Sequence, residues 1–178
     1  GFDALIYDSE EVDGFEIGLK SNLLDNNMRL NATYYKYEYT NLQVQLFDAA
    51  IIQFSTFNAG AVETEGFEAD LLWYTDIPGL SLRGQFAWTD ATNTGDFITP
   101  GGENLKGSKR SYSPEIAGSL GLSYDSGLSN GWRYNISTDA RYSDEYGWGT
   151  YIDSPMQDSF WINDVALSLY SEDGKHSF

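Results

Sequence analysis

Apolar and polar side chains alternate one by one between Glu63 and Tyr74, and this alternation restricts the fold more than any other stretch of the chain. The apolar positions are Phe67, Ala69, Leu71 and Trp73, and the positions between them hold Gly66, Glu68 and Asp70. Successive side chains of a strand point to opposite sides, so a period of two predicts a strand and not a helix. Carboxylates stand in the middle of the polar side, which fits either a soluble sheet with its charges in water or a membrane barrel with its charges in the lumen.

The same alternation recurs along the chain and predicts an all-β fold. The predicted strands cover residues 14–24, 28–45, 63–74, 80–91, 114–124, 131–142 and 160–170. Residues 1–13 carry five acids and no base, which predicts a solvated loop. Lys36 and Glu38 fall on the apolar side of the second strand, so we expect that strand to leave the apolar layer or to bulge there.

The connections between the predicted strands are short and long in strict alternation. The short ones are 25–27, 75–79, 125–130 and 171–175, and the long ones are 46–62, 92–113 and 143–159. This order predicts an antiparallel up-and-down meander of about seven strands with its short turns at one end, as in outer-membrane barrels. A soluble sandwich crosses between sheets and has no reason for that asymmetry. Aromatic residues near the strand ends suit an interfacial girdle: Tyr34, Trp73, Trp88, Tyr124, Trp132 and Tyr142.

The cost of charge in lipid sets the expected register. An Arg or Lys at mid-bilayer costs roughly 2–4 kcal/mol, and a slip of one residue reverses every side chain of a strand. The residues expected to face the lumen are Glu16, Lys20, Glu68, Asp70, Arg83, Arg133, Asp139 and Arg141. Seven is an odd number of strands, and an open sheet edge in lipid leaves backbone groups unpaired. We therefore expect a segment of a large transmembrane β-barrel, with an eighth strand beyond the final turn.

Composition excludes several classes of protein. The formal net charge of −17 disfavours a nucleic-acid partner, and the absence of Cys excludes disulfides and thiolate metal sites. Aromatic residues make up 16% of the chain, too many for a disordered acidic tail. No apolar run is long enough for a transmembrane helix, and the first residues lack the pattern of a signal peptide. We expect no cofactor and no metal.

Four stretches carry a resemblance to a known family. Residues 12–21 read VDGFEIGLKS, residues 29–43 read RLNATYYKYEYTNLQ, residues 58–68 read NAGAVETEGFE, and residues 112–115 read YSPE. In this order they resemble the barrel of TonB-dependent outer-membrane receptors. The resemblance implies that residues 1–178 belong to the C-terminal part of a barrel of about 22 strands, with the plug domain and the final strands outside this chain.

The resemblance also implies a function. It predicts energised uptake of a scarce ligand, such as a siderophore, cobalamin or an oligosaccharide, across the bacterial outer membrane. The implied partners are outer-membrane lipid and lipopolysaccharide, the small-molecule ligand, and the plug domain and TonB through the N-terminal part of the receptor.

No catalytic constellation stands out, so we expect no enzyme. His176 is the only His, which rules out a His-based triad. Glu68 and Asp70 have the residue types of a glycosidase pair, but residues two apart on a strand commonly only line a polar surface. The acidic connection 143–159 has carboxylates for a divalent cation, although a solvated loop is the preferred interpretation.

Ligand contacts are expected from aromatic and cationic side chains of the long connections. These residues are Phe47, Phe54, Lys106, Lys109, Arg110, Tyr146, Trp148 and Tyr151. Each of them also suits contact with lipopolysaccharide or packing within its loop.

Three hypotheses therefore stay open. The first is a segment of a TonB-dependent receptor, the second a secreted antiparallel β module that binds carbohydrate, and the third a porin-like channel without a plug. Dependence on detergent separates the second from the others, and an upstream plug separates the first from the third.

Overall fold

The computed structural model describes residues 8–48, 52–99, 101–149, 154–171 and 177. Its strands are β1 (Glu11–Leu23), β2 (Met28–Thr40), β3 (Leu42–Asp48), β4 (Gln53–Ala59), β5 (Val62–Tyr74), β6 (Leu80–Asn93), β7 (Ile116–Gly127), β8 (Arg133–Ser143), β9 (Tyr146–Gly147), β10 (Met156–Gln157) and β11 (Phe160–Tyr170). Among the described residues there is no helix of any kind.

One seven-stranded sheet dominates the molecule. Its strand order is β1-β2-β5-β6-β7-β8-β11, and every neighbouring pair is antiparallel. The predicted all-β meander of seven strands is thus confirmed. Two small hairpins, β3–β4 and β9–β10, stand in the long connections. In the described parts of the chain, no helix is long and apolar enough to cross a membrane.

The register divides this sheet into two faces, because directly paired residues lie on the same side. The apolar face carries Phe15, Ile17, Leu19, Ala32, Tyr34, Phe67, Leu71, Leu82, Phe86, Leu120, Leu122, Ile136, Ala140, Trp161, Val165 and Leu167. The polar face carries the residues between them. Its charged side chains sit in rows across the strands, such as the row that joins Asn31, Asp70, Gln85, Ser119 and Arg141.

The pairing of β2 with β5 corrects the expected bulge. The two strands pair without a break from Met28 opposite Trp73 to Tyr39 opposite Val62. Lys36 stays in this ladder, and its Nζ lies 3.0 Å from a carboxylate oxygen of Glu63. The strand therefore does not bulge at Lys36, whose charge is paired on the neighbouring strand. The other expectation, that the strand leaves the apolar layer at Lys36, describes this position better.

Several predicted boundaries also need correction. The predicted loop 1–13 ends earlier, since β1 begins at Glu11, and β7 continues to Gly127, past the predicted end at residue 124. The predicted strand 28–45 is broken at Asn41, whose φ of 54° is left-handed and ends the pairing with β5. The chain then forms β3, which pairs with β4 inside the predicted long connection 46–62. Alternation alone does not reveal which partner a strand chooses.

Short turns join β1 to β2, β5 to β6, and β7 to β8, all at one end of the sheet. Gly79 has φ 83°, and a Cβ built there would lie 1.9 Å from the carbonyl oxygen of Asp125, so only glycine fits this turn. In the first turn the amide of Asn27 donates to the carbonyl of Leu24 at 2.9 Å. The strands are therefore connected by short turns at this end of the sheet and by long loops at the other end.

Among the described residues, few apolar side chains are buried, and those that are lie toward the long-loop end. The buried ones are Val62, Ala91, Phe97 and Leu105. On the apolar face, by contrast, Val165 is 77% exposed, Ile17 67% and Trp161 64%. Nothing among the described residues covers that face, so the sheet is a single layer with two open sides.

Candidate functional site

The polar face brings all eight of the residues predicted to face a lumen to one side of the sheet. The register connects Lys20 to Asp70 and Arg141 through their row, and it connects Arg83 to Asp139 through Gly121. Glu16, Glu68 and Arg133 have the same parity on their strands. The shared side is a finding of the structure, whereas its contact with a lumen remains an expectation.

Three of the four arginines on the polar face reach an aspartate; the fourth, Arg29, lies in the row of Arg83 and has no ion pair among the described residues. Arg83 pairs with Asp139 on β8, Arg133 pairs with Asp125 on β7, and Arg141 pairs with Asp164 on β11. These side chains are between 29% and 65% exposed, so each pair contributes little to stability by itself. Together they hold the arginines flat along the face, with opposite charge next to each one.

Gly121 of β7 makes possible the ion pair between Arg83 and Asp139, which lie on the strands to either side of it. It lies directly between Arg83 and Asp139 in the row, and Arg83 Nε donates to Asp139 Oδ1 at 3.1 Å over it. A Cβ at Gly121 would lie 2.6 Å from Arg83 Nε and 2.8 Å from Asp139 Oδ1. Because Gly121 has no side chain, Arg83 and Asp139 can come into contact above it.

Other charged groups on this face have no ion pair. Asp70 accepts hydrogen bonds from Asn31 Nδ2 at 3.1 and 3.0 Å, but within the described residues Lys20 and Glu68 contact no opposite charge. Glu68 borders an open groove of about 530 Å³ whose lining includes Ala87 and Ala117. Small side chains beside a free carboxylate leave room for a polar partner at this point of the wall.

The first long loop holds two of the predicted ligand-binding aromatics. Phe47 on β3 and Phe54 on β4 are directly paired, and their ring centroids lie 5.5 Å apart in an edge-to-face arrangement. Phe54 is 70% exposed. The two rings therefore form an exposed pair near the tip of their hairpin, apart from the other candidates.

The three predicted cations of the second long loop have different environments. Lys106 lies 3.4 Å from Asp96, and Lys109 lies 2.8 Å from Asp90. The pKa of Asp96 is lowered, first by a hydrogen bond from Asn104 and then by the charge of Lys106. Both lysines are thus partly neutralised by neighbours.

Arg110 is half-buried, and burial lowers the pKa of its guanidinium. Its Nη1 donates to Asn93 Oδ1 at 3.3 Å, and among the described residues it forms no ion pair. This arginine is therefore the least neutralised of the three loop cations.

A cavity of about 280 Å³, the loop cavity, lies between the second and third long loops. The amide of Tyr112 donates to the carbonyl of Gly147 at 2.9 Å, and the Tyr112 and Tyr146 rings lie 6.3 Å apart, which holds the two loops together. The lining of the loop cavity is Thr89, Ala91, Ser108, Lys109, Arg110, Ser111, Ser113, Glu115, Asp144, Glu145, Tyr146, Gly147, Gly149, Ser154 and Met156. Thr89 and Ala91 belong to the polar face, so the cavity continues that face.

The loop cavity brings together Lys109, Arg110 and Tyr146 from the predicted ligand-binding set. Trp148 is 52% exposed on the β9–β10 hairpin and is not part of the lining, and Tyr151 lies outside the described residues, as does His176. In the described part of the acidic connection, Asp144 and Glu145 line the cavity, and no group of three metal-ligating side chains converges.

Sequence reasoning missed three tyrosines of β2. Tyr35, Tyr37 and Tyr39 lie on the polar face, with ring centroids 5.9 Å apart for the first pair and 6.4 Å for the second. The signal was present, because the three occupy alternate positions. They continue the alternate set of Arg29, Asn31 and Thr33, which opposes the apolar side of this strand.

Comparison with known proteins agrees with this architecture. The sequence model of a family described as TonB dependent receptor-like, beta-barrel matches residues 3–173. No curated protein sequence matches the chain.

Solved structures share the fold. The ferric-catecholate import receptor Fiu of E. coli K12 aligns with TM-score 0.64 and 22% identity, over 91% of this chain and 21% of that one. The siderophore receptor PiuA of Acinetobacter baumannii aligns with TM-score 0.69 and 24% identity, over 96% and 23%. The ferric yersiniabactin uptake receptor FyuA of Yersinia pestis aligns with TM-score 0.68 and 14% identity, over 90% and 22%. The chain thus spans less than a quarter of the length of each, and at these identities the likeness is one of fold.

Proposed function

Because the chain belongs to the TonB dependent receptor-like β-barrel family, we propose that its main sheet is part of the wall of an outer-membrane barrel that takes up a scarce ligand with energy delivered by TonB. Residues 1–178 then form one piece of a single barrel domain. The apolar face meets lipid and lipopolysaccharide, and the polar face lines the lumen around the plug. The role is transport and not catalysis.

The exposed apolar band carries this proposal. On β8 the band runs over nine residues, from Tyr134 to Tyr142, which is the length of about 9–11 residues that a tilted transmembrane strand needs. Aromatic pairs mark both ends, with Tyr124 against Tyr134 at 6.2 Å and Tyr142 against Trp161 at 5.0 Å. Thr138 and the neighbouring Asn163 of β11 are polar exceptions within it.

Charges return to the same side directly beyond the band. Lys36 pairs with Glu63 and Glu65, and Lys109 pairs with Asp90, all near the long-loop end of the sheet. Ion pairs of this kind belong in water or among lipid headgroups, because ionised side chains in hydrocarbon are costly. The apolar band thus ends where charged side chains begin, as expected of a surface that faces a hydrocarbon layer of limited thickness.

The secreted carbohydrate-binding module is the weaker alternative. A soluble sheet packs its apolar face against a second layer, since large exposed apolar patches mark interaction surfaces. Here Val165, Ile17 and Trp161 are exposed on a face that no described residue covers. A lipid environment accounts for that exposure directly.

An iron–siderophore complex is the ligand we propose to test first, because Fiu, PiuA and FyuA are described as siderophore or ferric-siderophore receptors. The residues proposed to contact it are Phe47, Phe54, Lys106, Lys109, Arg110, Tyr146, Trp148 and Tyr151. Arg110 and Tyr146 are the strongest of these, since both line the loop cavity that continues the polar face.

The test is uptake of radioactive iron by cells. The whole gene that contains this sequence is expressed in a Gram-negative strain without its own siderophore receptors, and in the same strain without TonB. Iron is supplied as a ferric catecholate, a ferric hydroxamate or a ferric phenolate siderophore. We expect saturable uptake of at least one complex, with loss of about tenfold or more when TonB is absent.

Each other outcome points elsewhere. Uptake that does not saturate and does not need TonB identifies a passive channel. A protein found in the medium and stable without detergent supports the secreted module. Saturable, TonB-dependent uptake of cobalamin or an oligosaccharide, with no iron complex transported, keeps the receptor and changes the ligand.

A further inference from the structure

Tyr35, Tyr37 and Tyr39 form a continuous set of rings, the tyrosine ladder, on the polar face of β2. The first two rings are 5.9 Å apart with 29° between their planes, and the second and third are 6.4 Å apart with 52°. The ladder ends at Tyr39, two residues before Asn41, where the first long loop begins. It therefore leads from the long-loop end down along the wall of the sheet.

Tyr35 lies across the sheet because the residue beside it has no side chain. Gly66 is its direct partner on β5, and a Cβ there would lie 2.5 Å from the Tyr35 hydroxyl and 2.6 Å from Cζ. The hydroxyl reaches Thr89 Oγ1 on β6 at 3.1 Å, and Thr89 is the next residue in the same row. The ring thus rests over the backbone of β5 instead of standing upright.

Tyr37 lies across the sheet in the opposite direction. Its partner on β1 is Gly14, where a Cβ would lie 2.2 Å from Tyr37 Cδ1. Its hydroxyl donates to Glu16 Oε1 at 2.5 Å, which anchors the ring to β1. Gly66 and Gly14 thus leave the space in which the two rings lie flat. One hydrogen bond from each tyrosine hydroxyl, to Thr89 or to Glu16, keeps the ring there.

A ring that rests on backbone turns its other face away from the sheet. All three tyrosines are half-buried, as expected when one ring face is covered and the other is free. Flat, fixed aromatic faces are stacking platforms for another ring, and their fixed rotamers avoid much of the ordering entropy that binding normally costs.

The charges around the ladder restrict what can stack there. The row of Tyr35 contains Glu16 and Thr89, and the row of Tyr37 contains Thr64 and Ala91. Arg110 is the cation that contacts the row of Tyr39, but it does so at Asn93, two strands away. An anionic ring would meet the Glu16 carboxylate, so the surroundings favour an uncharged ring.

We propose that the tyrosine ladder binds an uncharged ring of the transported ligand, either a neutral aromatic ring or a sugar ring, by stacking on its way into the barrel. The proposal rests on the proposed uptake function, because only in a barrel does the polar face line a passage. Tyr39 and Tyr37 take the ring first, since they lie nearest the long loops.

The experiment measures binding to the intact receptor in detergent by saturation-transfer NMR titration. The aromatic probes are N-acetyl-tyrosinamide, its anionic form N-acetyl-tyrosine, and the ring-free N-acetyl-alaninamide. The sugar probe is a neutral glucose oligosaccharide. The variants are the double substitution Tyr37→Leu with Tyr39→Leu, the ring-preserving Tyr37→Phe, and Tyr34→Leu, which removes a ring from the same strand on the opposite face.

We expect wild type to bind at least one neutral ring probe, with the double variant weaker by about tenfold and with Tyr37→Phe and Tyr34→Leu within about twofold. A preference for the amide or for the oligosaccharide identifies the source of the ring. Equal affinity of wild type and double variant, or binding of no ring probe to wild type, overturns the proposal.

A second variant covers a failure of the double variant to fold. Glu16→Gln keeps all three rings and an acceptor for the Tyr37 hydroxyl while it removes the negative charge, so the anionic N-acetyl-tyrosine should gain about fivefold relative to the amide. No change in that ratio counts against the ladder. Binding in detergent needs no TonB, so the two proposals can fail separately. Ring binding that persists while uptake does not need TonB rejects the proposed energised uptake alone. TonB-dependent uptake without ring binding rejects the ladder alone.

Discussion

The two faces of the main sheet use the same strands but solve the problem of burial in opposite ways. On the apolar face, Val165 and Ile17 stay exposed and are held only by neighbours in the sheet. On the polar face, Arg83 and Arg141 are each held by an aspartate on another strand. The apolar face thus depends on the medium around it, whereas the polar face pairs three of its arginines internally and leaves Lys20 and Glu68 without an opposite charge among the described residues. The difference teaches that the environment of each face can be tested separately by matched substitutions.

The largest effect should come from a charge at the middle of the apolar band. Val165→Arg in the intact receptor, folded into lipid vesicles, should lower the free energy of unfolding in urea by about 2–4 kcal/mol. Ala166→Arg is the matched control, because Ala166 is the next residue, is exposed, and lies on the polar face. It should cost less than about 1 kcal/mol. Equal costs for the two variants would mean that the apolar face does not meet lipid.

The next largest effect should come from the cation in the loop cavity. Arg110→Gln removes a half-buried charge that lines the cavity. It should weaken binding of an anionic iron complex about tenfold, since hydrogen bonds to charged groups contribute roughly 1.5–3 kcal/mol. Lys36→Gln, a charge beyond the apolar band on the other side of the sheet, should change the dissociation constant by less than about twofold. Calorimetric titration of the purified receptor compares them, and equal losses would remove the cavity from the ligand path.

A smaller effect is expected at Gly121. Gly121→Ala places a Cβ against Arg83 and Asp139 and should separate that pair, at a cost of up to about 1 kcal/mol for so exposed an ion pair. Gly84→Ala is the control, because its Cβ would meet atoms only at 3.8 Å or beyond. Urea unfolding midpoints measure both variants. A stabilising Gly121→Ala would show that the pair contributes nothing in the folded wall.

The smallest effect concerns the pH dependence of the second long loop. The lowered pKa of Asp96 means that its contacts with Asn104 and Lys106 are fully present above the ordinary pKa of an aspartate, about 3.9, and are lost as the pH falls through the lower folded value. Protease nicking of residues 94–115 should therefore increase only at strongly acidic pH. Asp96→Asn should remove that step, and a step at neutral pH would assign the effect to another group.

Much of the fold was predictable from local pattern. Alternation identified the seven main strands and sorted Glu68, Asp70, Arg83 and their counterparts to one side. The β3–β4 hairpin was missed, because Asn41 changes the direction of the chain without changing the alternation. Of the predicted ligand-binding residues, the structure gathered Lys109, Arg110 and Tyr146 at the loop cavity and left Phe47 with Phe54 elsewhere.

The sequence by itself determined the period, the faces, and the alternation of short turns with long loops, because each depends on residues a few positions apart. Tertiary structure decided which groups meet. Arg83 contacts Asp139 only because the register places Gly121 between them, and Tyr35 and Tyr37 lie flat only because Gly66 and Gly14 stand opposite. Such contacts depend on the alignment of strands distant in the chain, which no local pattern specifies.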